Sequence, residues 1–173
     1  MLVMAMSPSR PIGLPRTPRA RRMRGFTLIE LMTTLGILII LLTIAAPQMR
    51  PLIALVQLRA ASYDLTADLM LARSEALKRA TTVSISPRSA GSWSTGWSVT
   101  ATGVTEVLSQ RNALGSAISA STAPTSVTFD VSGRLANASG TVRFNLTDGQ
   151  SNARCISLDP SGRPKTSTSP CPT

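Results

Sequence analysis

From Phe26 to Ala46 the chain reads FTLIELMTTLGILIILLTIAA, 21 residues in which Glu30 is the single charge. No other feature restricts the fold so strongly, because about 20 consecutive apolar residues is the length a helix needs to cross a bilayer. Arg10, Arg16, Arg19, Arg21, Arg22 and Arg24 precede the run, whereas Arg50 is the one basic residue soon after it. The positive-inside rule then keeps the N-terminus in the cytoplasm and exports the chain downstream of the run. Two other readings fit the apolar run itself: a helix buried in a soluble core, and a secretory signal cut at Ala45-Ala46, just before Pro47. A twin-arginine signal fits less well, since Arg21-Arg22 leads into Met-Arg-Gly. None of these explains Glu30, because an unpaired carboxylate in hydrocarbon costs roughly 2.5 to 3.5 kcal/mol on insertion scales. Glu30 needs a partner.

Composition removes most chemistry. The chain has no histidine, two cysteines and eight carboxylates, so the commonest general base and the usual zinc ligand sets are missing. An enzyme is not expected, nor any cofactor or metal. The net charge of +10 comes largely from the first 25 residues, since beyond Gly25 twelve basic residues face eight acidic ones. It therefore says little about the part that folds.

Gly25-Phe26-Thr27-Leu28-Ile29-Glu30 behind a basic leader resembles the class III signal of type IV pilins and type II secretion pseudopilins. The resemblance implies that a prepilin peptidase cuts between Gly25 and Phe26, on the cytoplasmic side of the apolar run. The new Phe26 amine is methylated, and the helix stays in a mature chain of residues 26 to 173. Glu30, the fifth mature residue, is then the family's assembly residue, one helical turn from the new amine and placed to pair with that of a neighbouring subunit. Residues 1–25 form a long leader for this class, and Met1, Met4, Met6 and Met23 are all candidate starts.

Past the apolar run, Pro47 and Pro51 interrupt the helical pattern and a kink is expected there. From Leu52 to Arg79 the spacing of Leu58, Leu65, Leu69, Ala72 and Ala76 predicts an amphipathic continuation over residues 47–80 that needs a surface to pack on. Glu75 with Lys78 and Arg79 reads as a solvated helix end. From residue 81 to 173 alternating short runs predict a β-rich exported domain. The expected strands are Thr82–Ser86, Trp97–Ala101, Val104–Leu108, Ser126–Val131, Thr141–Leu146 and Ala153–Leu158, with Val127, Phe129 and Val131 on one face. The stretch Leu114–Pro124 is undecided and reads most simply as a loop. The fold class expected is α+β: a pilin-like fold, with a long N-terminal helix, transmembrane then amphipathic, packed on an antiparallel β-sheet head.

The segments LARSEALKR at Leu71–Arg79, WSTGW at Trp93–Trp97, and a late SGRL followed by a Cys-containing strand resemble the GspH/FimT group of minor pilins. Trp93 and Trp97 themselves read as core or rim packing. Cys155 and Cys171, both in the exported part, would close a loop of about 17 residues worth ~3 kcal/mol on the chain-entropy model. Free thiols or an intermolecular bridge remain open. Type IV pilins commonly tie the C-terminal region this way and the major secretion pseudopilins mostly do not, so the pair leans towards a pilus.

Within that loop, Gly162-Arg163-Pro164-Lys165 resembles the Gly-Arg-x-Arg element with which some FimT-type pilins bind DNA. Lysine in place of the second arginine keeps the charge but loses the planar fork. Arg163 and Lys165, with Arg134, Arg143 and Arg154 on neighbouring strands or turns, would contact double-stranded DNA through phosphates and not bases. A turn carrying two solvated cations accounts for the same residues.

The resemblance thus implies a minor type IV pilin of the bacterial inner membrane, single-pass, with its C-terminal domain periplasmic. Its partners are prepilin peptidase and other pilins, met through the N-terminal helix, and it enters or primes a pilus. A minor pseudopilin of type II secretion is the alternative. A plain single-span protein with an exported domain is the third.

Overall fold

A computed structural model describes residues 25–89, 91–136 and 140–172. Of the leader expected over residues 1–25, all but Gly25 lies outside the described residues. The chain divides after Leu42 into two compact units, and one helix, α1 (Leu28–Arg79), contributes to both.

In the first unit Gly25, Phe26 and Thr27 precede the helix, and every residue through Leu42 is exposed, so this segment has no core of its own to enter. Thr33 and Thr34 donate their hydroxyls to the Glu30 and Leu31 carbonyls at 3.0 and 2.9 Å. Both hydroxyls are thereby satisfied within the helix, as an apolar solvent would require. Among the described residues α1 is the one helix long and apolar enough to cross a membrane, by length and composition.

The second unit begins at Thr43, where α1 runs on through Pro47 and Pro51 with no break in the helix. Each proline removes one backbone donor, so the interruption amounts to two missing rungs in successive turns. Further along, Leu58, Leu65, Leu69, Ala72 and Ala76 are fully buried on one face of α1, as their spacing of threes and fours predicts.

Among the described residues the rest of this unit holds eight strands: β1 (Val83–Ser89), β2 (Ser92–Ala101), β3 (Val107–Gln110), β4 (Ser119–Thr122), β5 (Val127–Phe129), β6 (Val142–Thr147), β7 (Ala153–Leu158) and β8 (Pro164–Ser167). They form two antiparallel sheets, ordered β3-β2-β1-β5 and β4-β6-β7-β8. Val83, Ile85, Val99 and Phe129 from the first sheet, and Phe144, Leu146, Ile156 and Leu158 from the second, share one buried cluster with the helix stripe. Trp93 bridges the sheets: its ring meets Phe144 edge-on at 4.8 Å and lies 6.3 Å from Trp97. Its indole N–H donates to the Pro124 carbonyl at 2.6 Å.

The strand expectations need several corrections. β2 starts five residues before Trp97, because Ser92–Gly96 pairs back onto the end of β1. The third strand begins at Val107 and not Val104, since a turn closes at Gly103 and the Val104 amide bonds the Ala101 carbonyl. β5 ends at Phe129, and Val131 sits exposed in a turn. The Leu114–Pro124 stretch contains strand β4, and the loop expected between the cysteines contains strand β8. Both are sheet edges built from Ser, Thr, Ala, Pro and Lys, so they lack the alternating apolar face by which a strand is read.

Candidate functional site

Thr27 caps α1. Its hydroxyl oxygen accepts the Glu30 amide at 3.3 Å and its carbonyl accepts the Leu31 amide at 3.2 Å. Thr27-Leu28-Ile29-Glu30 thus has the sequence of a capping box, with Glu30 in the first turn where the helix dipole favours an anion. Gly25, Phe26, Thr27 and Glu30 line one shallow depression. The Gly25–Phe26 bond lies in non-helical backbone, and a Cβ at Gly25 would meet nothing within 4 Å. Among the described residues no packing therefore calls for glycine at that position.

Cys155 on β7 and Cys171 in the tail form a disulfide. The loop it closes folds back as β8, paired antiparallel with β7 through Cys155–Ser167, Ile156–Thr166, Ser157–Lys165 and Leu158–Pro164. Ser157 also faces Arg143 on β6. Arg143, Ser157 and Lys165 therefore stand in one row across the outer face of this sheet, with both cations exposed. Arg163, two residues before Lys165, is exposed on the same side. Arg154 is not part of this group: it pairs with Leu146 and so falls on the opposite, inner face at the end of the sheet.

Arg163 leaves a turn that has a twin. Asp130-Val131-Ser132-Gly133-Arg134 and Asp159-Pro160-Ser161-Gly162-Arg163 share the pattern D-x-S-G-R. In each, the glycine amide returns to the aspartate carbonyl, at 2.9 and 2.8 Å, and the aspartate amide reaches the arginine carbonyl. Asp130 Oδ1 accepts the Ser132 hydroxyl at 2.7 Å and the Arg134 amide at 3.0 Å; Asp159 Oδ1 accepts the Ser161 hydroxyl at 2.5 Å and the Arg163 amide at 3.2 Å. The two turns touch. The Leu135 amide bonds the Pro160 carbonyl at 3.2 Å, and a Cβ on Gly162 would collide with the Gly133 carbonyl. Both glycines have positive φ, 70° and 78°, so side-chain strain and close approach demand glycine together.

The serine hydroxyl, then the arginine amide, holds each of these carboxyls below its ordinary value of 3.8. A carboxyl whose folded pKa is depressed adds stability above the unfolded value and loses it as pH falls through the folded one. In an amide-resolved NMR titration the Ser132, Arg134 and Arg163 resonances are expected to move together at midpoints below 3.8. Midpoints at or above the ordinary value would contradict this account of the turns.

One polar centre escapes a reading of the sequence. Asp68, buried on the helix face that meets the first sheet, accepts the Trp97 indole N–H, the Ser109 hydroxyl and Arg111 Nε, each at 2.9 Å. Arg111 also lies 3.6 Å from Asp64, and its hydrogen bond to Asp68 raises its already high pKa further. A signal is present: Asp68 stands three residues after Leu65 and one before Leu69, on the stripe itself.

A single N-terminal helix, apolar in its first half and laid in its second half against antiparallel sheets, is the architecture of a pilin subunit. The type II transport protein GspH family model matches residues 61–162, and the prokaryotic N-terminal methylation motif matches residues 20–46. The chain belongs to the GspH family of pilin-type proteins, whose members are structural subunits and not enzymes. Two crystal structures of the type IV minor pilin FimU from Pseudomonas aeruginosa PAO1 are similar to it. One has TM-score 0.56 and 25% identity, covering 64% of this chain and 87% of that one. The other has TM-score 0.55 and 26% identity, covering 64% and 92%. No curated protein sequence matches. The apolar N-terminal helix and the prepilin motif fit a membrane-anchored pilin.

Proposed function

We propose that the chain is a minor type IV pilin that enters, or primes, a pilus after prepilin peptidase cuts between Gly25 and Phe26 and the Phe26 amine is methylated. The observation that carries this reading is the likeness to the minor pilin FimU, which spans 87% of that chain. In the proposed mechanism residues 26–46 anchor the precursor in the inner membrane with the C-terminal unit periplasmic. Glu30 then pairs with the N-terminal amine of a neighbouring subunit, which relieves the cost of a carboxylate in the bilayer. Mass spectrometry of the protein from its host is expected to find a mature N-terminus at methylated Phe26. An intact leader in a peptidase-competent host removes the pilin reading. The family model's description as a type II transport protein favours a second reading, a minor pseudopilin. Deleting the gene separates the two, by loss of surface pili or loss of exported proteins.

The exposed row Arg143–Ser157–Lys165, with Arg163 beside it, supports DNA binding as an added role. Adjacent strands lie about 4.8 Å apart, which spaces Arg143 and Lys165 by roughly 10 Å. Such a row fits backbone phosphates, so binding would be salt-sensitive and indifferent to sequence. Changing Arg143, Arg163 and Lys165 together to alanine is expected to lower the salt slope of a duplex gel shift by about 3. A shift unaffected by the triple change would remove this role and leave the pilin reading intact.

A further inference from the structure

At the end of the second sheet's inner face a depression of about 230 Å³ opens between α1, the turn joining β6 to β7, and the tail after β8. Two arginines from different elements line it: Arg59 from α1, and Arg154 from β7, the cation that strand register turns inward. Among the described residues no carboxylate lines it, and neither guanidinium has an ion pair or a hydrogen bond. The acids nearest in sequence are engaged elsewhere. Asp64 and Asp68 face Arg111, and Asp148 accepts the Gln150 and Asn152 amides and the Asn152 side chain. Ser151 and Thr168 add exposed hydroxyls that are likewise without a partner among the described residues. Leu55, Leu58 and Pro170 supply an apolar wall. Thr168 and Pro170 belong to the tail that the Cys155–Cys171 disulfide ties to β7, next to Arg154.

Two cations on one small depression repel each other, and an anion held between them turns that repulsion into attraction. We propose that Arg59 and Arg154 form a binding site for a small, water-borne phosphate ester. Donors reach the depression from the helix, the strand, the turn and the tail, which suits a tetrahedral oxyanion. A carboxylate is flat and is satisfied by one guanidinium fork, so the second arginine and the hydroxyls would go unused. A phosphomonoester carries a charge of about −1.5 to −2 at pH 7, which matches two guanidiniums. The volume equals that of roughly seven waters at ~30 Å³ each, more than a bare phosphate fills, and the apolar wall suits the carbon group of an ester. Membrane phospholipid is a poorer source. Arg59 stands about 20 Å along α1 beyond Ala46, whereas headgroups extend only roughly 5 to 7 Å past the hydrocarbon on each side. That choice of source rests on the span proposed for residues 26–46, but the site itself does not depend on the pilin reading. It is also separate from Arg143 and Lys165, which register places on the opposite face of the sheet.

The test uses the full-length chain in uncharged detergent, with glycerol 3-phosphate and inorganic phosphate each exchanged for chloride at constant ionic strength. Amide-resolved NMR is expected to show saturable shifts at Ser151, Asn152, Ala153 and Thr168 with both probes. Shifts that saturate with neither, or with inorganic phosphate alone, overturn the proposal. Arg59→Gln and Arg154→Gln are each expected to weaken binding at least about tenfold, while Arg88→Gln, an exposed change on β1, leaves it as it was. If the half-buried Arg154→Gln chain loses its dispersed amide spectrum, Arg59→Gln decides alone, since Arg59 is exposed and its loss leaves the core intact. Unchanged binding in Arg59→Gln overturns the site. Acetate is expected to bind at least about tenfold more weakly than phosphate, and equal affinity overturns the choice of phosphate. Phosphatidylglycerol mixed into the micelle is expected to leave the same amides unmoved, and saturation by the lipid without saturation by glycerol 3-phosphate overturns the water-borne source. Binding is read on the single chain, so a failure here is separable from a failure of the pilin reading, which the mature N-terminus decides.

Discussion

Replacing Asp68 by alanine is expected to destabilise the second unit by about 3 kcal/mol, since truncating one partner of a buried charged network leaves the others unpaired. Three donors converge on this carboxylate, and they come from β2, β3 and the segment just after β3. Trp97 is 1% exposed, so its indole N–H has no water to turn to once Asp68 is gone. Arg111 is different: its side chain is 42% exposed and can be rehydrated, which keeps the expected cost below that of a fully buried pair. Chemical denaturation of residues 52–173, monitored by tryptophan fluorescence, measures the change. Asp68→Asn keeps an acceptor for Trp97 but loses the charge for Arg111, so it should fall between alanine and the original residue. If alanine costs less than about 0.5 kcal/mol, the usual effect of a neutral surface change, the network does not hold the sheet edge to the helix.

Glu30→Ala is expected to leave the chain cut and in the membrane while lowering its presence in filaments by at least about tenfold, equivalent to ~1.4 kcal/mol. The sign of the insertion term makes this informative. Removing a carboxylate from an apolar span makes the span easier to insert, by roughly 2.5 to 3.5 kcal/mol. A deficit in filaments therefore cannot come from poor insertion. Nor can it come from a lost helix cap, because the cap bond from Glu30 to Thr27 uses the backbone amide, which alanine keeps. Glu30→Gln, which retains hydrogen bonding without the charge, should resemble alanine if a neighbour's ammonium group is the partner. Equal filament incorporation of all three chains would sink the assigned role of Glu30.

How much of the fold is legible in the sequence depends on which residues carry apolar patterning. β7 is legible with both ends correct, because Ile156 and Leu158 alternate with Cys155 and Ser157 and mark a strand whose inner side is apolar. β4 and β8 are not, because edge strands with polar faces owe their existence to the neighbour they bond. The twin turns are visible as isolated Ser-Gly pairs, yet nothing in either pentapeptide says that the two would touch. Trp97 belongs to the core, as its sequence context suggests, but its tie to Asp68 needs a contact across 29 residues of sequence.

The sequence by itself determined the membrane-length helix, the prepilin motif with Glu30 in its first turn, and the change from helix to strands near residue 80. Each is a local pattern, in which length, period or adjacent residue types carry the physical requirement. Only the tertiary structure decided which cations share a surface, which carboxylate is buried, and which face of α1 remains uncovered. Those depend on strand register and on contacts between residues far apart in the chain. A one-residue shift of β8 would have turned Lys165 inward, because side chains alternate faces along a strand, and no property of Lys165 alone prevents it.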